Sequence, residues 1–374
     1  MILLSALLSL SFLPACQTLP LNGKLADGLV AEKFRSVDKD SPFALSPDGN
    51  VIAIVSSGLK MVHIPSKEHL SLGEMSPYKL AWSPFGNSLA ALYAKEGGSS
   101  IVIYDQQGFP VAESTVAARL TDLGWLSEDE LLAGGVRVKS FKFGSNYQSL
   151  YFSWKPGRDV PVENALRDTT LRPSTFAAWQ TLLERGPMLD LAAQSGTLLY
   201  LQPVDPPMYS PYYKLIMKDL ASGKELEIAS VEFQSAGGKF SADGEKILYG
   251  DGKGTTLLYN PWSEELLRKT ATAGRNPALS PEGENWASDG ALFRNGAAVM
   301  PLAEGAVVQF STDGSRAAIR SGKELYLLSG MKAADGIMFV PAVAKKISKL
   351  RSMRLQGLVT PQEYQENLLR ITAQ

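Results

Sequence analysis

The sequence is poor in the residues that build reactive sites. One cysteine, Cys16, occurs in 374 residues, so no internal disulfide can staple the chain and its stability must come from a core. There are two histidines, His63 and His69, on either side of Ile64-Pro65-Ser66-Lys67-Glu68. A metal site would need more His, Cys or clustered carboxylates at ligand spacing, and none are seen. Neither histidine lies near a G-x-S-x-G elbow, and no phosphate loop or G-x-G-x-x-G dinucleotide turn occurs. No catalytic residue, cofactor or metal is therefore expected. Lys and Arg number 37 against 38 Asp and Glu, a net charge of −1. That balance lacks the basic excess of a nucleic-acid binder and the acidic excess of a disordered chain. The longest apolar run, Ile2 to Leu13, is broken by Ser5, Ser9 and Ser11. It is shorter than the about 20 residues that span a bilayer.

What is present begins with that run. No charged side chain occurs from Met1 to Gly23, and the run ends at Leu13-Pro14-Ala15-Cys16. An apolar segment ending at small residues has the form of a secretory signal. Leu13, Ala15 and Cys16 resemble the lipobox of bacterial lipoproteins. The resemblance implies a signal peptide over 1–15, cleavage after Ala15 and lipidation of Cys16. The basic residues that usually open such a signal are missing, which suits a start farther upstream or a weak signal. In that family an Asp after the cysteine favours inner-membrane retention. Gln17 is not Asp, so the resemblance implies the periplasmic face of the outer membrane. Residues 16–29 then read as the lipidated cysteine and a tether.

Glycine (33) and proline (22) are plentiful, which suits a turn-rich β protein. One phrase recurs in the body, taken as 30–339. It appears as Ser46-Pro47-Asp48-Gly49, Ser83-Pro84-Phe85-Gly86, Ser241-Ala242-Asp243-Gly244, Ser280-Pro281-Glu282-Gly283 and Ser311-Thr312-Asp313-Gly314. Each time an apolar stretch leads in, and most are followed by a second and a third. Proline presets φ, Asp bonds back to the backbone and glycine accepts φ > 0, so each phrase predicts a turn between two strands. Gly49 and Gly86 are 37 residues apart, Gly244 and Gly283 39, and Gly283 and Gly314 31. These phrases resemble the PD40 repeats of TolB-like and WD40-like β-propellers, whose blades run to about 40–45 residues.

Gly86 and Gly244 are 158 residues apart, room for weaker blades. Candidate turns there are Ser127-Glu128-Asp129 and Ser195-Gly196. The fold expected is all-β, a propeller of six or seven blades, followed by a C-terminal α-helical hairpin. Leu29 to Phe34 is the candidate strand that pairs into the last blade and closes the ring. Trp82 and Trp125, beside the turns, are expected to pack between sheets. Asp48, Asp243 and Asp313 sit at repeated turns, a structural post rather than a catalytic one.

In the tail, Ile347, Leu350 and Met353 recur at helical spacing, and Gly357 stands where that helix would stop. Thr360, Pro361 and Glu363 form a capping box for a second helix with Tyr364, Leu368 and Ile371 on its apolar face. Leu350, Gly357, Leu358, Val359, Thr360, Glu363 and Tyr364 resemble the SHOCT hairpin over 344–374. The family's later lysine pair is replaced by Asn367 and Leu368. So small a hairpin needs a partner for its stripe: the propeller, a copy of itself in a homo-oligomer, or another protein. Lys345, Lys346, Lys349, Arg351 and Arg354 read as a solvated basic face.

The segment 203–214, with its prolines and tyrosines, reads as an exposed loop. Tyrosine is favoured at interfaces, so Tyr209, Tyr212 and Tyr213 are the contact residues proposed from sequence. The function expected is a membrane-anchored envelope module that binds a protein or glycan, with no nucleic-acid partner. The alternative is a propeller enzyme acting on an envelope polysaccharide or peptide through carboxylates gathered at the central funnel.

Overall fold

A computed structural model describes residues 23–25, 28–141, 144–169, 186–203, 212–232, 237–272, 276–288, 290–331 and 341–372. Cys16, expected from sequence to be lipidated, and Tyr209, expected as a contact residue, lie outside them. Seven antiparallel sheets succeed one another along the chain. Blade 1 covers 43–73, blade 2 79–116, blade 3 119–169, blade 4 188–232, blade 5 238–270 and blade 6 278–301. Blade 7 takes three strands from 307–329 and its fourth from Val30–Ser36, with the short strand Gly23–Lys24 added at its outer edge. Val30 pairs with Ser329 and Ser36 with Glu324, which closes the ring as the Leu29–Phe34 stretch predicts. The count is seven rather than six, because 121–135 and 188–203 both form the first hairpin of a blade.

The innermost strand of each blade touches that of the next, and blade 7 touches blade 1. The core is divided in the same way. Each of seven apolar clusters joins two neighbouring blades, as Ile52 and Ile54 of blade 1 meet Ala318 and Leu325 of blade 7. Tryptophans stitch two of the seams. Trp82 Nε1 donates to Ala44 O across blades 2 and 1, and Trp125 Nε1 to Ala81 O across blades 3 and 2. At the closing seam Gln309 of blade 7 binds both Leu45 N and Phe43 O of blade 1.

The recurrent turns owe their residues to one hydrogen-bond pattern. Ser46 Oγ donates to Asp48 Oδ1 at 2.6 Å and accepts from Val51 N at 2.9 Å, while Asp48 Oδ1 takes Asn50 N at 3.1 Å. The same set recurs around Ser241 and Asp243 and around Ser311 and Asp313. The serines are buried, and each hydroxyl replaces water for a strand-end amide. Blade 2 has Phe85 where the turns of blades 1, 5, 6 and 7 have Asp or Glu. There Glu128, from the turn of blade 3, reaches across to accept from Ser83 Oγ at 2.8 Å, from Phe85 N and from Asn87 Nδ2.

The tail forms two helices, α1 (Pro341–Leu355) and α2 (Pro361–Thr372). Gly357 stops α1 at φ 71°, with Leu358 N donating to Met353 O, the bond of a Schellman end. Thr360 and Glu363 form the capping box: Glu363 Oε2 accepts from Thr360 N at 2.7 Å, and Thr360 Oγ1 from Glu363 N at 3.2 Å. The partner of the apolar stripe is the propeller. Leu350 and Tyr364 are buried in the cluster that joins blades 4 and 5, with Leu368 and Ile371 packed against it.

The expectation of a wholly solvated basic face on α1 is corrected here. Lys346 and Lys349 are exposed, but Arg351 is 3% exposed. Its guanidinium donates to Glu245 Oε1 (2.5 Å), Asp243 O and Tyr364 Oη (3.2 Å), and lies 5.2 Å from the centre of the Trp262 ring. Tyr364 stacks on Trp262 at 5.5 Å and donates to the same Glu245 oxygen at 2.7 Å. Arg354 pairs with Glu264. Only glycine suits the turn beneath. A Cβ on Gly244 (φ +69°) would stand 2.9 Å from Ser195 Oγ and 3.3 Å from Arg351 Nη1.

Candidate functional site

The innermost strands enclose a central channel of about 1340 Å³. Its lining runs from one face, formed by the connections between blades and the second turns (Gly97, Ala117) and here called the mouth, to the first turns of blades 5, 6 and 7 at the other end (Ala242, Pro281, Thr312). Its wall is built largely of small and apolar residues, with charge at a few posts. Four of these lie on the innermost strands of successive blades: Lys79 (blade 2), Asp122 (3), Asp190 (4) and Lys239 (5). Their signs run plus, minus, minus, plus around the wall, and neighbours of opposite sign pair. Lys79 Nζ lies 3.2 Å from Asp122 Oδ2, and Lys239 Nζ 2.7 Å from Asp190 Oδ1. The other oxygens are taken by backbone. Leu123 N donates to Asp122 Oδ1 at 2.9 Å, and Phe240 N to Asp190 Oδ2 at 2.7 Å. Enclosure in the wall pulls the Lys239 ammonium pKa down, but Asp190 and Asp122 outweigh it and hold it above the ordinary lysine value.

Nearer the mouth the balance turns positive. Lys95, Arg119 and Arg137 line the channel there, and no further carboxylate does. Arg137 is paired with Glu163 of the same blade. Lys95 bonds only to the neutral Thr115 hydroxyl, and Arg119 is exposed; neither has a carboxylate partner among the described residues. Tyr78 stands beside them, its hydroxyl donating to Leu120 O at 2.8 Å, with burial raising its pKa. The mouth thus offers two uncompensated cations above a half-apolar well.

The residues proposed from sequence lie elsewhere or inside. Tyr212 opens the third strand of blade 4, Tyr212–Asp219, and Tyr213 follows it. Tyr213 is 2% exposed in the core of blades 4 and 5, and burial raises its pKa strongly. It packs rather than presents a surface, so the expected exposed loop does not extend to it. His63 and His69 end and begin successive strands of blade 1, as their spacing implies. His63 Nδ1 lies 2.9 Å from Ser66 Oγ, which also donates to Glu68 Oε2 at 3.1 Å. The serine stands in the middle of this exposed set, so the histidine has no carboxylate to orient it as a base. No cluster of three or more metal-ligating side chains occurs among the described residues. Sequence reasoning missed the four charged channel posts. Their signal was a charge inside an apolar strand, as in Lys79-Leu-Ala-Trp and Met188-Leu-Asp-Leu-Ala.

No protein-family model matches the chain, and no characterised protein matches it in sequence. Among solved structures it is similar to the Cps50 (Swd1) β-propeller domain of Myceliophteria thermophila. The TM-score is 0.54 at 15% identity, over 80% of this chain and 98% of that one. At that identity the likeness concerns the fold alone. With the seven sheets, the closing strand and this neighbour together, the chain is an all-β, seven-bladed β-propeller carrying two helices at its C-terminus.

Proposed function

We propose that the chain is a lipid-anchored protein of the cell envelope, exported on its N-terminal apolar segment and held by Cys16. Its propeller binds a protein partner at the channel mouth. The observation that carries this reading is the distribution of charge in the channel. Every oxygen of Asp122 and Asp190 is engaged by a lysine or a backbone N–H, whereas Lys95 and Arg119 stand uncompensated at the opening. Such cations beside apolar wall suit an acidic protein surface, which they would also steer toward the mouth. The hairpin, read as a SHOCT-like element, serves as a docked cap on blades 4 and 5. Its stripe of Leu350, Tyr364, Leu368 and Ile371 is spent on the propeller.

The test is in-cell crosslinking and mass spectrometry, comparing the native chain with a Lys95→Glu/Arg119→Glu variant. An envelope protein captured by the native chain and lost with the variant is the expected result. Equal capture by both would overturn the assignment of the mouth. The second reading, cleavage of an envelope polysaccharide or peptide, draws on two carboxylates sharing one channel. Product release by the purified protein that disappears with Asp122→Asn or Asp190→Asn would favour it.

A further inference from the structure

The face opposite the channel mouth carries the root of the tether and an apolar rim together. In each blade the chain enters on the innermost strand, so the first and third turns of every blade share that opposite face. Gly23 is there too. It pairs with Ala31, at the end of the closing strand where Val30 meets Ser329. One residue on, Glu32 Oε1 meets Lys67 Nζ at 3.2 Å, and Lys67 is in the third turn of blade 1. The outer strand of blade 1 leaves from that turn with Leu70 and Leu72 on one side. Both lean on the third turn of blade 2, where a Cβ on Gly108 would sit 2.5 Å from a methyl of each. Phe109 and Val111 follow directly. Phe85 is on the same face, in the first turn of blade 2, and Gln106 bonds to its neighbours Gly86 and Asn87. These side chains are exposed: Leu70 43%, Phe85 63%, Phe109 67% and Val111 55%. Contiguous apolar surface of this kind on a soluble domain marks a contact.

We propose that this rim, on blades 1 and 2, rests in the headgroup region of the bilayer that holds Cys16. The proposal rests on the lipid-anchor reading above. From Cys16 to Gly23 there are seven residues. Fully extended, they reach at most about 25 Å, so an acylated Cys16 keeps the rim of blades 7, 1 and 2 beside the membrane. Phenylalanine, leucine and valine side chains at such a surface enter the boundary between headgroups and acyl chains. Seated so, the propeller turns its channel mouth away from the membrane, toward the space where a partner would approach.

The test uses the full chain made in bacteria with labelled palmitate. It is reconstituted in vesicles of phosphatidylethanolamine and phosphatidylglycerol, with or without a doxyl-labelled phospholipid. Because an acylated Cys16 leaves no thiol, Phe109→Cys supplies the only site for a bimane label, and Met75→Cys, exposed on the mouth face, is the control. The expected result is palmitate incorporation, a blue-shifted bimane at 109 that loses most of its emission with the doxyl lipid, and an unquenched bimane at 75. Palmitate incorporation with equal, unquenched emission at both sites would overturn the rim proposal and leave the anchor standing. A blue shift at 109 without quenching would mean that protein covers the rim, which also overturns it. Absence of palmitate would overturn the anchor reading and the rim with it.

Discussion

Replacing Arg351 with Met should release the C-terminal hairpin while leaving the ring intact. The guanidinium is 3% exposed, and its donors satisfy Glu245 Oε1, Asp243 O and Tyr364 Oη at once. Burial in the seam pulls its pKa down, but Tyr364 and Glu245 outweigh this and hold it above the ordinary arginine value. Methionine keeps much of the volume but strands the Glu245 carboxylate, one of whose oxygens already lacks a partner. Breaking one side of a buried ion pair costs about 3–5 kcal/mol. The hairpin is joined to the ring covalently only at its N-terminal end, so the loss should appear as local opening. Measured by hydrogen exchange, the amides of α1 and α2 should lose roughly 150-fold to 5,000-fold of protection, at 1.36 kcal/mol for each factor of ten. Protection in blades 1, 2 and 7 should not change. Adding Glu245→Gln to Arg351→Met should recover most of the loss, since the stranded charge is then gone. Arg351→Lys should not rescue, because one ammonium cannot replace the planar fork. Unchanged protection over 341–372 in Arg351→Met, or no recovery in the double variant, would refute the idea that this cluster holds the tail.

Two further outcomes follow from the turns. Glu128→Ala should lower the denaturation midpoint by an amount worth about 1.5–3 kcal/mol, because charged hydrogen bonds to Ser83 and Phe85 go with it. Phe85→Asp in that background should restore part of the loss, by giving blade 2 the carboxylate the other turns carry. Burial would raise the pKa of Asp48, but hydrogen bonds from Ser46 and Asn50 outweigh it and hold the carboxyl below the ordinary aspartate range. A carboxylate depressed in the folded state adds stability that is complete above its unfolded pKa and lost as pH falls through the folded one. Asp48→Asn should therefore be less stable than the native chain at neutral pH and match it more closely in strong acid. Denaturant midpoints taken across that range check it.

The blades were legible where their chemistry is local. A serine, an aspartate and a glycine within four residues write the turn, so blades 1, 5 and 7 could be read directly. Blades 3 and 4 were harder. Their turns use Ser127 with Asp129, and a short 3₁₀ turn at Ala193–Ser195, which resemble the phrase only loosely. Glu128 looked like part of its own turn, and nothing local said that it serves blade 2. Tyr212 and Tyr213 show the limit of composition. Composition marked the tyrosines but not the strand alternation that turns Tyr213 inward. The tail repeats the lesson. Spacing placed Leu350 and Tyr364 on apolar faces correctly, but Arg351 is adjacent to Leu350. Only the carboxylate waiting at Glu245, 106 residues away in sequence, makes its burial affordable.

The strand that closes the ring has a consequence for timing. Val30 is made first and finds its partner, Ser329, 299 residues later. The contact adds little to the entropic cost of closure beyond a shorter loop, since that cost grows only with the logarithm of length. It does set an order of events. Until the last blade exists, the chain has an open end with an unpaired strand at each side, and the ring cannot lock. A chain still being made stays openable for as long as its final strands are withheld. The fold thus carries its own completion signal, given when its first strand meets its last.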